Sequence, residues 1–136
     1  MVETVPRVLR QLVFDRAKGH CEYCLIHQDA VVHPHEPDHI VPRQHGGRST
    51  EDNLALSCLR CNRYKGPNIG SFDPETNELT PFYNPRTQDW QDHFRLEGPI
   101  IHPLTSQGRV TVKILRLNAT DRLEEREQLI AVGLYP

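Results

Sequence analysis

The stretch CLRCNRYKG, Cys58 to Gly66, carries two cysteines two residues apart. A matching pair stands in CEYC, at Cys21 and Cys24, and these four are all the cysteines in the chain. A C-x2-C turn lets two thiolates point at one metal, and four thiolates around Zn2+ close a tetrahedral site with no open position. Such a site is structural. The rival readings are disulfides, a redox pair and buried thiols. A reducing compartment disfavours disulfides, and a redox motif needs one C-x2-C in a βαβ setting, not two matched pairs. Zinc on Cys21, Cys24, Cys58 and Cys61 is therefore the expectation. It would tie the end of a first helix to the start of a second and add about 10 kcal/mol to a small core.

Thirty-three residues separate the two pairs, so a structural unit must fill the gap. That gap holds EPDHIVPRQHGG, Glu36 to Gly47, followed by Asn53-Leu54; Asn62 and Lys65 come directly after the second pair. Each piece alone has a plain reading. Asp38-His39 alone is a solvated turn pair, Asn53 a helix N-cap, Asn62 a surface amide or C-cap, and Gly46-Gly47 a flexible loop. Their co-occurrence inside one bracketed unit is what raises them.

The elements CEYC, DHIVPRQHGG, DNLALSC and CLRCNRYKG resemble, in order and spacing, the cysteine-flanked branch of the HNH endonuclease family. The resemblance covers about residues 14–66. It implies a ββα-metal fold, a two-stranded hairpin packed on a helix and gripping one catalytic divalent ion. It makes Asp38 a metal ligand, His39 the general base, Asn53 the residue that pins the loop orienting His39, and Asn62 the second metal ligand. Asparagine stands at 62 where the family name has histidine, which makes this an H-N-N variant. The implied activity is hydrolysis of DNA phosphodiester bonds. The chemistry is coherent: histidine titrates near neutrality and can take a proton from water. An ion held by carboxylate and amide oxygens is expected to be Mg2+ or Mn2+, and it offsets charge on phosphate and leaving oxygen. The alternative is a zinc-stabilised nucleic-acid-binding module without catalysis.

A net charge of −2 excludes a bulk polycation. Residues 39–65 nevertheless hold five basic side chains against two acidic ones, so any phosphate-binding surface should be local. Arg43, Arg60, Arg63 and Lys65 are the candidates, with Lys65 alternatively satisfying helix-end carbonyls. His33, His35 and His45 read as polar-face or loop residues. No apolar run is long enough to span a membrane, and the charged start lacks a secretory core, so a cytoplasmic protein is expected.

Hydrophobic spacing at Val8, Leu9, Leu12 and Val13 predicts a helix begun at Thr4–Pro6 and stopped by Gly19. Residues 29–41 are β-prone but interrupted by Pro34 and Pro37, which suits a hairpin or edge strand. The fold class expected is α+β: a nuclease core over residues 1–66 with a structural four-cysteine zinc site, and an α+β extension over 67–136 packed on it as one compact domain. In that extension, TQDWQDHF predicts a short helix. The alternation of Val110, Val112 and Ile114 predicts a strand, paired with GPIIHPL across TSQG. Thr120 caps a last helix whose acidic face points away from DNA. Trp90 and Phe94, at helical spacing, read as a buried face, with DNA contact by Arg86, Trp90 or His93 as the weaker reading.

Overall fold

The computed structural model describes residues 5–136. The expected Thr4 cap lies outside the described residues. The elements run α1 (Arg7–Arg16), β1 (Glu36–His39), β2 (Leu54–Ser57), α2 (Leu59–Lys65), β3 (Gly70–Phe72), β4 (Leu79–Pro81), α3 (Trp90–His93), β5 (Phe94–Glu97), β6 (Ile100–Pro103), α4 (Ser106–Ile114) and α5 (Thr120–Ala131). Among the described residues the strands form three two-stranded antiparallel sheets, β1–β2, β3–β4 and β5–β6. The class is α+β.

The first hairpin is the frame for the motif. It pairs Glu36 with Ser57, Pro37 with Leu56, Asp38 with Ala55 and His39 with Leu54. Pro37 has no N–H to give, and a two-stranded sheet tolerates that because each strand is an edge. One side of the hairpin rests on α1, where Val13, Leu54 and Leu56 are buried together. Full burial of each such side chain stabilises by about 1.5–3 kcal/mol. Arg16 then closes the hairpin's open end, donating to the Leu54 carbonyl at 2.6 Å and the Glu51 carbonyl at 2.9 Å.

A second, larger core joins the two halves of the chain. Tyr23, Ile26 and the cysteines pack with Phe82, Tyr83, Phe94, Ile101, Val110, Leu115 and Leu117. The aromatic residues of the extension are used for this. Trp90 donates its Nε1–H to the Tyr23 carbonyl at 2.9 Å and stacks at 5.0 Å on Phe94. Arg86 pairs with Glu22, and His93 bonds Thr105 Oγ1 at 2.6 Å. Packing therefore accounts for all three residues once weighed as DNA contacts.

The expected strand over Val110–Ile114 is a helix, and its expected hairpin does not exist. VTVKI satisfies a period of two on paper. The structure instead starts α4 at Thr105, whose side chain accepts the Gly108 N–H at 3.1 Å, and buries Val110, Thr111 and Leu115. The GPIIHPL strand pairs backwards, onto β5, with Glu97 opposite Ile100 across Gly98-Pro99. Helix α3 is correspondingly short, because Phe94 already belongs to β5. After Gly66 the chain forms the small β3–β4 hairpin.

Candidate functional site

The four cysteine sulfurs converge. They lie within 4.8 Å of one another, with Cys24 and Cys58 Sγ 3.7 Å apart, and none of these residues is more than 5 % exposed. A tetrahedral ion with Zn–S bonds of about 2.3 Å sets its sulfurs roughly 3.8 Å apart, so the donor set fits zinc. All four thiols are free of disulfides. The first pair sits in the turn between His20 and His27, which bridge as two short antiparallel residues. The second sits at the start of α2, where Cys58 Sγ accepts the Cys61 N–H at 3.4 Å. Burial pushes the Cys21 and Cys61 thiols up, while hydrogen bonds from Cys21, Cys58 and Cys61 draw Cys24 well below the ordinary thiol value.

Asp38 and His39 are adjacent on a strand and so point to opposite faces. Asp38 turns inward, 6 % exposed. Its Oδ2 lies 3.1 Å from Lys65 Nζ and accepts the Tyr23 hydroxyl at 3.4 Å. Burial pushes the Asp38 carboxyl above its ordinary range, with Lys65 and Tyr23 pulling the other way. Lys65 also donates to the His39 carbonyl at 2.9 Å, so one ammonium fastens both motif residues to α2. Asn62 lies one turn before Lys65, hence on the same side of that helix.

His39 Nε2 is bonded to Ser49 Oγ at 2.8 Å. Ser49 belongs to the loop over residues 40–53 that joins the two strands, and Asn53 closes this loop. Its Oδ1 accepts the Val41 N–H at 2.9 Å, and its Nδ2 donates to the Val41 and Arg48 carbonyls at 3.0 and 2.9 Å. The glycine pair in the loop has two distinct reasons. Gly46 takes φ +89°, the left-handed region. Gly47 leaves no room for a side chain, because a Cβ there would lie 1.6 Å from the Val41 carbonyl oxygen. A cleft of about 400 Å³ opens beside the loop, lined by Ile40, Val41, His45 and Lys65 on one side and Tyr83 and Gln88 on the other.

The basic candidates separate. Lys65 is withdrawn as a phosphate ligand: it is 1 % exposed, and its ammonium is used by Asp38 and His39. Arg60 pairs with Asp121 of α5 at 3.1 Å and lines the groove over Cys24 and Cys58. Arg63 is exposed on α2, and Arg43 is half-buried at the start of the loop. His35 is buried, bonding the Ile26 carbonyl at 2.9 Å through Nε2. Ser49, Tyr23 and Arg122 were not singled out from sequence. A serine in a polar loop, a tyrosine between cysteines and an arginine in an acidic helix carry no distinguishing pattern.

A family model described as HNH endonuclease matches residues 21–68. The chain is also similar to the Septu protein PtuB of Bacillus thuringiensis, at 25 % identity over 124 residues. That match covers 90 % of this chain and 46 % of PtuB, so the chain spans about half the length of the curated relative. No solved structure matches. No helix among the described residues is long and apolar enough to cross a membrane.

Proposed function

We propose, from the match of residues 21–68 to the HNH endonuclease model, that the chain is a metal-dependent nuclease of that family hydrolysing DNA phosphodiester bonds, with β1, β2 and α2 as its ββα-metal unit. The observation that carries this reading is the double attachment of Lys65. It bonds Asp38 and the His39 carbonyl from one side of α2, the side on which Asn62 also lies. Lys65 thus ties the strand that carries Asp38 and His39 to the helix that carries Asn62, which supports reading the three as one motif.

His39 is the general base. Its imidazole, positioned by the bond between Nε2 and Ser49 Oγ, takes the proton from the attacking water. Asn53 acts through the loop: by holding Val41 and Arg48 it keeps Ser49, and so the imidazole, in position. Asp38 and Asn62 hold the divalent ion, Mg2+ or Mn2+, through hard oxygens. When bound, that ion supplies charge neutralisation at the phosphate and the departing oxygen. Arg43 and Arg63 meet the DNA backbone. Zinc on the four cysteines holds the fold and takes no part in the chemistry.

A second reading is favoured by one observation. Asp38 Oδ2 already faces an ammonium, which suits a module that binds nucleic acid without catalysis. Incubating purified protein with plasmid DNA and Mg2+ or Mn2+ separates the two. Cleavage by wild type and its loss in His39→Ala support the nuclease. DNA binding that weakens with salt, with no cutting by either protein, supports the binding module.

A further inference from the structure

We propose that Arg122 is the outer-sphere partner of the four-cysteine centre, a positioning residue that offsets the centre's charge and holds its metal, delivered by the C-terminal half of the chain. This rests on the reading of the four cysteines as a zinc site.

Four thiolates and one divalent ion leave a formal charge of −2 in a place with little access to water. Buried charge of that kind requires a partner. Arg122 is 3 % exposed and points its Nη2 at the sulfurs, 3.1 Å from Cys61 Sγ and 3.9 Å from Cys58 Sγ. The other arm of the guanidinium is held by backbone: Nη1 donates to the Leu115 carbonyl at 2.7 Å and approaches the Arg116 carbonyl at 3.4 Å. The planar fork therefore fixes one edge on the end of α4 and aims the other at the thiolates, a division that a lysine ammonium does not reproduce.

The neighbouring arginine makes the contrast. Arg126 is one turn further along α5 and 2 % exposed, but it donates to the Pro99 and Leu117 carbonyls and to Asn118 Oδ1, with no sulfur partner. Two buried arginines on one helix thus have different tasks. A second tie runs from the end of the chain, where the Tyr135 hydroxyl donates to the Cys24 carbonyl at 2.7 Å. An N–H···S bond draws charge off the sulfur. That lowers its tendency to react with an electrophile, one route by which a thiolate leaves a metal. Docking of α5 and retention of the metal are one event.

The experiment uses the full-length, metal-loaded protein and three variants, Arg122→Gln, Arg122→Lys and Arg126→Gln, under conditions where circular dichroism shows each folded. Metal content is measured first; wild type without bound metal would refute the zinc reading and with it the role of Arg122, whereas the variant comparisons below test that role alone. Zinc transfer to a colorimetric chelator, with and without iodoacetamide, is then followed. Arg122→Gln should lose zinc about 10–100-fold faster than wild type, the usual cost of removing an outer-shell partner, with Arg122→Lys between them and Arg126→Gln like wild type. In the Co2+-substituted protein, Arg122→Gln should move the sulfur-to-cobalt charge-transfer band to longer wavelength. If Arg122→Gln does not fold, Arg122→Lys against Arg126→Gln decides. Equal zinc loss in those two, or an unmoved cobalt band in a folded Arg122 variant, overturns the proposal.

Discussion

Lys65 Nζ sits 3.1 Å from Asp38 Oδ2, and both side chains are buried. The pair joins a strand and a helix at the centre of the motif. Replacing Lys65 by methionine should destabilise the protein by about 3–5 kcal/mol, because it leaves the Asp38 charge buried without its partner. The double change Lys65→Met/Asp38→Asn should recover much of that loss. Urea unfolding of these two variants and of Asp38→Asn measures both values; an additive double mutant would refute the coupling.

Asn53 should affect catalysis more than stability. Asn53→Ala removes three hydrogen bonds at a partly exposed site, an expected cost of about 1–3 kcal/mol. Cleavage should fall by a larger factor, because Ser49 and His39 lose their fixed loop. Amide exchange at Val41 reports the mechanism directly: its N–H, bonded to Asn53 Oδ1 at 2.9 Å, should lose protection in the variant.

Gly47→Ala should behave differently from Gly46→Ala. At 47 an added Cβ meets the Val41 carbonyl oxygen at 1.6 Å, so the loop must move and plasmid cleavage should drop sharply. At 46 the space around a Cβ is open and only the positive φ opposes it, at about 1–2 kcal/mol. Thermal melts with cleavage assays on both variants test the contrast. Equal activity in the two would count against the loop's role in holding His39.

Asp73 gives a pH signature. Bidentate hydrogen bonds from Arg109, at 2.9 and 2.7 Å, hold its carboxyl well below the usual carboxylate range. A depressed folded value means that the stabilisation is present in full above the unfolded value of about 3.9. It is lost as pH falls from there toward the folded value. Asp73→Asn should therefore lower the melting temperature at neutral pH and flatten its decline below about pH 4. Melts from pH 2 to 7 would show this, and parallel curves for both proteins would refute it.

Zinc removal should unfold the knuckles together with the second core. Purified protein should carry about one zinc per chain. Cys58→Ser should abolish tight binding, and a strong chelator should lower the melting temperature. The C-terminal half should lose near-ultraviolet dichroism in the same transition, because Trp90 and Tyr135 both bond knuckle carbonyls.

The paired cysteines were legible in the chain because short-range chemistry dictates them, whereas Asp38-His39 and Asn53 stood out only through their resemblance, in order and spacing, to the HNH family. A C-x2-C turn aims two sulfurs wherever it is placed, but the reason for Gly46-Gly47, which read as a flexible loop, came only from the close approach of the Val41 carbonyl and the positive φ at 46. The last helix was legible too, although Thr120, expected as its cap, is its first residue and Ala119 stands at the cap without a side-chain bond. The strand expected at Val110–Ile114 was misread because β-branched residues at alternate positions fit both periods. Only the floor that β3, β4 and β6 offer α4 selects the helix. Lys65 was misread for a related reason: a lysine near a helix end looks solvent-facing until a buried carboxylate from another strand claims it. The roles of Ser49, Arg122 and Tyr135 depend wholly on tertiary structure. Their partners lie 10, 61 and 111 residues away, and no local pattern encodes a contact across such distances.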